Sequence, residues 1–288
     1  MTLRLGIAFV PTLQPETLPQ FARDAEAAGL DEIWMWEDCF KQSGIASAAI
    51  ALASTERIEI GIGLLPAPLR NVALTAMELA TVARVYPGRL HGGVGHGVQS
   101  WMKQVGAKAA SPMTLLREYA EALRRLLDGE TVTVDGRYVQ LDAVALDWPP
   151  QTRVPLWLGG EGPKSLALTG ELGDGTLLAG ARSAEEIAES VRIALEGRPD
   201  GATGPHPVVA ALVVATGDGA EERAQRELTN WRQDGERGGA VGGDARQIAD
   251  AVRRFGDAGV TSIMVQATAD EPDIAGLIRV LGEVRTLL

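Results

Sequence analysis

Short apolar runs recur along this chain, each followed by a segment with helical spacing, and that rhythm restricts the fold more than any single motif. "LRLGIAFV" (3–10) reads as a strand. The stretch from Pro15 to Gly29 carries Leu18, Phe21, Ala22, Ala25 and Ala28 at helical intervals before a glycine stop. "DEIWMW" (31–36), "RIEIGIG" (57–63) and "RLHGGVG" (89–95) continue the series, with helices predicted over about 43–53 and 71–86 between them. After a helix at about 114–128, "TVTVDGRYVQL" (131–141) interrupts it, because alternating β-formers around Asp135-Gly136 predict a two-residue hairpin turn. "VPLWLGG" (154–160), "DGTLLAG" (174–180), "PVVAALVVAT" (207–216) and "VTSIMVQA" (260–267) resume it, with helices to about 171, over about 183–195, between 216 and 260, and over about 272–287.

Eight buried strands alternating with amphipathic helices call for a parallel sheet closed on itself, an α/β TIM (β/α)8 barrel with insertion segments. A doubly wound open sheet would place a GxGxxG fingerprint after the first strand, and "GIAFVPTLQP" has none. At 288 residues the chain has room for one such barrel, and no linker rich in Pro, Gly or Ser divides it, so one domain over 1–288 is expected. The segments 97–113, 141–153 and the Gly-rich 235–243 read as insertions, the last extending into "GERGGAVGGDARQ" (235–247), which carries no chemical signature.

Charge narrows the partners. With 27 Lys+Arg against 38 Asp+Glu the net charge is −11, which opposes non-specific binding to nucleic acid or an anionic membrane. No run reaches the roughly 18 apolar residues of a membrane span, and the N-terminus lacks the pattern of a signal peptide. A lone cysteine, Cys39, and three dispersed histidines make a poor zinc set, so a cytoplasmic protein without a structural metal is expected.

The segment "LGGEGPKSL" (158–166) follows the fifth barrel strand, on the face where a barrel builds its active site. Glycines allow close backbone approach, Pro163 suits a first helical turn, and the free N–H groups at a helix start attract phosphate. Lys164 adds positive charge and Glu161 opposes it. Taken alone, the segment reads equally as an ordinary βα turn.

The runs 55–97, 128–141 and 154–180 together resemble the bacterial-luciferase-like superfamily of flavin and deazaflavin oxidoreductases, which are TIM barrels. "GRLHGGVGHG" and "GGEGPKSL" are more similar to the branch that uses the 8-hydroxy-5-deazaflavin coenzyme F420 than to the FMN-dependent luciferases. The resemblance implies that Gly159, Gly160, Glu161, Gly162, Pro163 and Lys164 surround the cofactor phosphate, and that Gly95, His96 and Gly97 lie beside the cofactor side chain. It implies a bulge at the end of the third strand, with a non-prolyl cis peptide between Gly63 and Leu64 pressing on one face of the ring. It also places Asp38 on an aspartate position beside the ring and Cys39 where many relatives have histidine.

Val98 stands where the deazaflavin-dependent sugar-phosphate dehydrogenases have glutamate, which argues against that activity. Asp38 and His96 are the catalytic candidates. Asp38 reads equally as a capping or loop residue, and Glu37, Cys39 and Arg70 each have a structural reading. Trp34 and Trp36 should share one side of the second strand. His91 reads as structural and His206 as a loop residue. The implied activity is hydride transfer between F420 and a small-molecule substrate; the superfamily often forms dimers, so a homodimer is compatible with the resemblance. An FMN-dependent monooxygenase and a non-catalytic flavin-binding relative are the alternatives. A metal-dependent barrel hydrolase would need clustered histidines at strand ends.

Overall fold

The computed structural model describes residues 3–231 and 239–288. Eight parallel strands form the barrel: β1 (Arg4–Phe9), β2 (Glu32–Met35), β3 (Glu59–Pro66), β4 (Leu90–Gly95), β5 (Leu156–Gly160), β6 (Gly175–Ala181), β7 (Val208–Ala215) and β8 (Ser262–Ala267). Each pairs with the next, β6 pairs with β7, and β8 pairs with both β7 and β1, so the sheet closes. A three-residue strand, Ala240–Gly242, adds to β7 beside Val213. The fold is the (β/α)8 barrel that the strand rhythm predicts.

The helices form where local chemistry starts them. Ser43 accepts from Ala46 N ahead of the helix Gly44–Ala53, and Asn71 accepts from Ala73 N ahead of the helix Val72–Val85. Ser183 and Glu186 form a reciprocal capping box at the helix Ala184–Glu196. The main core lies between the helices and the outward-facing residues of the strands. Inside the barrel, a second cluster joins Ala8, Trp34, Trp157, Leu177, Val209 and Met264. Trp34 is fully buried, and a Cβ at Gly61 of the neighbouring strand would stand 2.3 Å from its ring, so only glycine fits there. Trp36 packs against the same cluster, as strand alternation predicts.

Three local readings change. The hairpin strands run Val132–Asp135 and Gln140–Val144, with Asp135 paired to Gln140, so the connection spans 136–139 rather than two residues. Glu118 causes this: its carboxylate accepts from the N–H groups of Arg137, Tyr138 and Val139 at 2.7–3.1 Å. The insertion 97–113 contains a helix, Gln99–Gln104, and begins the helix Pro112–Leu127. Within the Gly-rich stretch, 235–238 lies outside the described residues, whereas 240–242 is strand and Asp244 caps the helix Ala245–Asp257. Among the described residues no helix is long and apolar enough to cross a membrane.

Candidate functional site

At the carboxyl end of β3 the pairing with β4 slips between Ile62 and Leu65, and the Gly63–Leu64 peptide inside this bulge is cis. The bulge turns the half-buried Leu64 toward the barrel axis. A Cβ on Gly95 of β4 would stand 2.6 Å from Leu64 Cδ2, and one on Gly159 of β5 only 2.2 Å. Two glycines on adjacent strands therefore supply the volume that one leucine fills. The result is an apolar ledge at the mouth, in contact with the inner cluster that also holds Trp36 and Leu13.

Beside the ledge, Gly160 ends β5 and leads into the helix Pro163–Leu172. The N–H groups of Glu161 and Gly162 donate to Ser165 Oγ at 3.1 and 3.2 Å, and that hydroxyl donates to the Gly162 carbonyl at 3.0 Å. Ser165 thus fixes the loop, while Glu161, Gly162, Pro163 and Lys164 all face solvent at the positive end of the helix dipole. Arg182, just after β6, donates to the Glu161 carbonyl at 3.1 Å and to Ser190 Oγ at 3.3 Å. The sequence reading missed this cation; its signal was an arginine at a barrel-strand end.

His96 and Gly97 follow β4 at the same rim. Burial pulls the His96 pKa down, against opposing effects of the Pro112 carbonyl and the Glu161 charge, so the ring is mainly neutral at pH 7. Its Nδ1 is buried with no partner among the described residues, leaving one ring nitrogen for a ligand.

Around the end of β2 the residues divide. Glu37 is buried, accepts from Gly44 N at 2.8 Å and holds Arg70 Nη2 through both oxygens at 2.8 Å, while Arg70 Nη1 reaches Glu78 at 2.9 Å. That buried ion-pair network ties two rim loops together and gives Glu37 and Arg70 structural work. Asp38 is half-buried beyond it, and burial raises its pKa, with Lys41 opposing. Burial, then the charges of Glu37 and Asp38, likewise push the Cys39 thiol up, so Cys39 is not an activated thiolate.

An acid whose folded pKa exceeds its unfolded value stabilises fully below the unfolded pKa, and that contribution is lost as pH rises through the folded value. Asp38→Asn is therefore expected to raise Tm at pH 7, with the gain shrinking toward zero below the ordinary aspartate value of 3.8. A melting series across pH that shows no gain at neutrality refutes the assignment.

The opposite rim is polar for another reason. Arg4 Nε meets Glu32 at 2.6 Å and Arg4 Nη2 meets Glu59 at 2.9 Å; His91 Nε2 lies 2.6 Å from Glu59. The Trp34 indole and Ser262 hydroxyl donate to Glu32 at 2.7 and 2.8 Å, and the Trp157 indole donates to His91 Nδ1 at 3.3 Å. An indole only donates, so His91 carries its proton on Nε2. Glu32, Glu59 and His91 lie close enough to resemble a metal set, but Arg4 already bridges the two carboxylates. A cavity of about 330 Å³ opens there, lined by Arg4, Glu32, His91, Arg153, Trp157 and Asp174 among others. His91 is thus structural, as read from sequence, and His206 lies in the loop before β7, as read, where it is buried as a partner of Thr176 at 2.8 Å.

Residues 9–236 match the model of the family described as luciferase-like monooxygenase. The chain is 30% identical over 176 residues to 5,10-methylenetetrahydromethanopterin reductase of Methanolobus tindarius, covering 61% of this chain and 54% of the relative. It is 31% identical over 208 residues to F420-dependent glucose-6-phosphate dehydrogenase of Kineococcus radiotolerans, covering 67% of this chain and 61% of the relative. These matches span little more than half of each relative's length. An F420-dependent secondary alcohol dehydrogenase, solved with an F420-acetone adduct, superposes with a TM-score of 0.88 at 22% identity, covering 99% of this chain and 98% of that one, a likeness of fold.

Proposed function

The chain belongs to the luciferase-like monooxygenase family, and on that footing we propose that it is an F420-dependent oxidoreductase acting on a small organic substrate. The observation that carries the reading is the Leu64 ledge, seated over Gly95 and Gly159 and adjoining the solvent-facing start of the helix Pro163–Leu172 at one rim. The chemistry of the residues fits a flat ring joined to an anionic tail. Leu64 offers one apolar face, and the orphaned His96 Nδ1 accepts one hydrogen bond. The start of the helix Pro163–Leu172, with Lys164 and Arg182, attracts a phosphate.

In this reading Gly63 and Leu64 back the ring, and Gly95, His96 and Gly97 flank the side chain. Gly159, Gly160, Glu161, Gly162, Pro163 and Lys164 surround the phosphate. Bound there, a deazaflavin supplies two-electron hydride chemistry. The chain's own residues do the rest: Trp36, Leu64, Val10 and Met264 exclude water from the mouth, and Asp38 keeps a proton to higher pH than an exposed aspartate does. His96, mainly neutral, serves as an acceptor and an alternative proton carrier.

The names of the relatives support F420, and a monooxygenase of like fold solved in complex with FMN supplies the alternative. Titration of the purified protein with each cofactor, in oxidised and reduced form, tests the reading. F420 is expected to bind at least about tenfold more tightly than FMN, a difference near 1.4 kcal/mol. Equal affinity, or binding of FMN alone, refutes it.

A further inference from the structure

One buried polar side chain inside the barrel is unused by this scheme. Alternation along β8 sends Ser262, Met264 and Gln266 to the interior. Ser262 is spent at the base, donating to Glu32 at 2.8 Å, and Met264 Sδ accepts the Trp36 indole N–H at 3.4 Å in the middle. Gln266 is next toward the mouth. It is 4% exposed, its register partner on β7 is Val213, and its amide makes no hydrogen bond to another described residue. An amide with no partner inside the fold is free to pair with a molecule that enters the mouth.

Its place gives the amide a task. In the closed sheet β8 lies four strands from β4, so Gln266 faces the wall on which Leu64 rests over Gly95. Whatever lies flat on the ledge presents its free face toward β8. The surrounding mouth is apolar, through Val10, Trp36, Leu64 and Met264.

Resting on the cofactor site argued above, we propose that Gln266 is a specificity-determining residue that hydrogen-bonds the polar head of the substrate and selects a neutral carbonyl or hydroxyl compound with an apolar body. A carboxamide offers one acceptor and two donors without charge, so it pairs with a ketone, aldehyde or alcohol oxygen. It leaves a carboxylate or phosphate uncompensated, and burying such a charge is costly. Asp38 at the same rim further disfavours an anion.

The test uses the protein saturated with oxidised F420 and two neutral probes, cyclohexanone and acetophenone, each against its carboxylate-bearing counterpart. Calorimetric titration is expected to show the neutral probes bound at least about tenfold more tightly, and Gln266→Leu to weaken them by about five- to tenfold, the range of one hydrogen bond. Tm and F420 affinity should not change. Preference for the anions, failure of the wild type to bind either neutral probe, or unchanged probe affinity in Gln266→Leu overturns the proposal. A loss of F420 affinity in that variant also overturns it, by putting the amide on the cofactor. If F420 does not bind the wild type, the cofactor reading falls, and the same probe titration on the cofactor-free protein still decides the amide. Gln266→Ala, smaller and not polar, guards against misfolding of the leucine variant and is expected to behave alike.

Discussion

Gly159→Ala is expected to weaken F420 binding by one to two orders of magnitude while leaving the barrel folded. The added methyl would stand 2.2 Å from Leu64 Cδ2, whereas its next neighbours, Leu64 Cγ and the Val94 carbonyl, are at 3.7 and 3.8 Å. Only the tip of a flexible side chain must give. To restore ordinary carbon contact, Leu64 has to retreat by about 1.5 Å, since such atoms settle at about 3.5–4.0 Å. With Gly95 and the barrel wall behind it, the open direction is the mouth, into the volume assigned to the ring. Overpacking of this kind costs about 1–3 kcal/mol, which is about five- to 150-fold in a dissociation constant.

The double variant Gly159→Ala/Leu64→Ala separates the mechanism from simple damage. Both singles should bind F420 poorly, yet the double should recover part of the loss, because alanine at 159 occupies space that Leu64 has vacated. Non-additivity of that sign marks two side chains competing for one volume. Fluorescence titration together with melting curves measures it. Wild-type affinity in Gly159→Ala would mean that the ligand does not rest on Leu64, and purely additive losses would mean that the two positions act separately.

The same pair shows how far the sequence is legible. The barrel strands announce themselves because parallel strands covered on both faces must be apolar throughout, and glycine or proline separates them. The glycines of β3, β4 and β5 are visible too. What cannot be read from the string is the leucine that they accommodate, since Gly95 and Gly159 lie 31 and 95 positions beyond Leu64. The position of the bulge came from family resemblance, and spacing alone would not have supplied it.

Other features escaped for related reasons. Asp135-Gly136 carries a strong local turn signal, yet Glu118, from another element, captures three amides and lengthens the loop. The helix Gln99–Gln104 buries only Met102, so its periodicity is too short to register. Gln266 reads as an ordinary strand residue until closure of the sheet sets it opposite β4. Strand alternation applied to β8 would have found it, because Ser262, Met264 and Gln266 share parity.

Parity would also have found the base of the barrel, where the second large effect is expected. Arg4→Met should destabilise the protein by about 3 kcal/mol, toward the lower end of what breaking a buried ion pair costs, because the Arg4 side chain is 36% exposed while that of Glu32 is 3%. The loss arises mainly at Glu32, which keeps the donors from Trp34 and Ser262 but loses its cation while its own side chain is only 3% exposed. Trp34 is held by that carboxylate below and by Gly61 beside it, so a displaced Glu32 also loosens the largest side chain of the interior. Adding Glu32→Gln to Arg4→Met removes the uncompensated charge, keeps an acceptor for the Trp34 indole, and should recover a large part of the stability. Urea denaturation of the wild type, both singles and the double measures this. If Arg4→Met proves neutral, or the double is less stable than Arg4→Met, then the charges at this rim are solvated and the interior does not depend on their pairing.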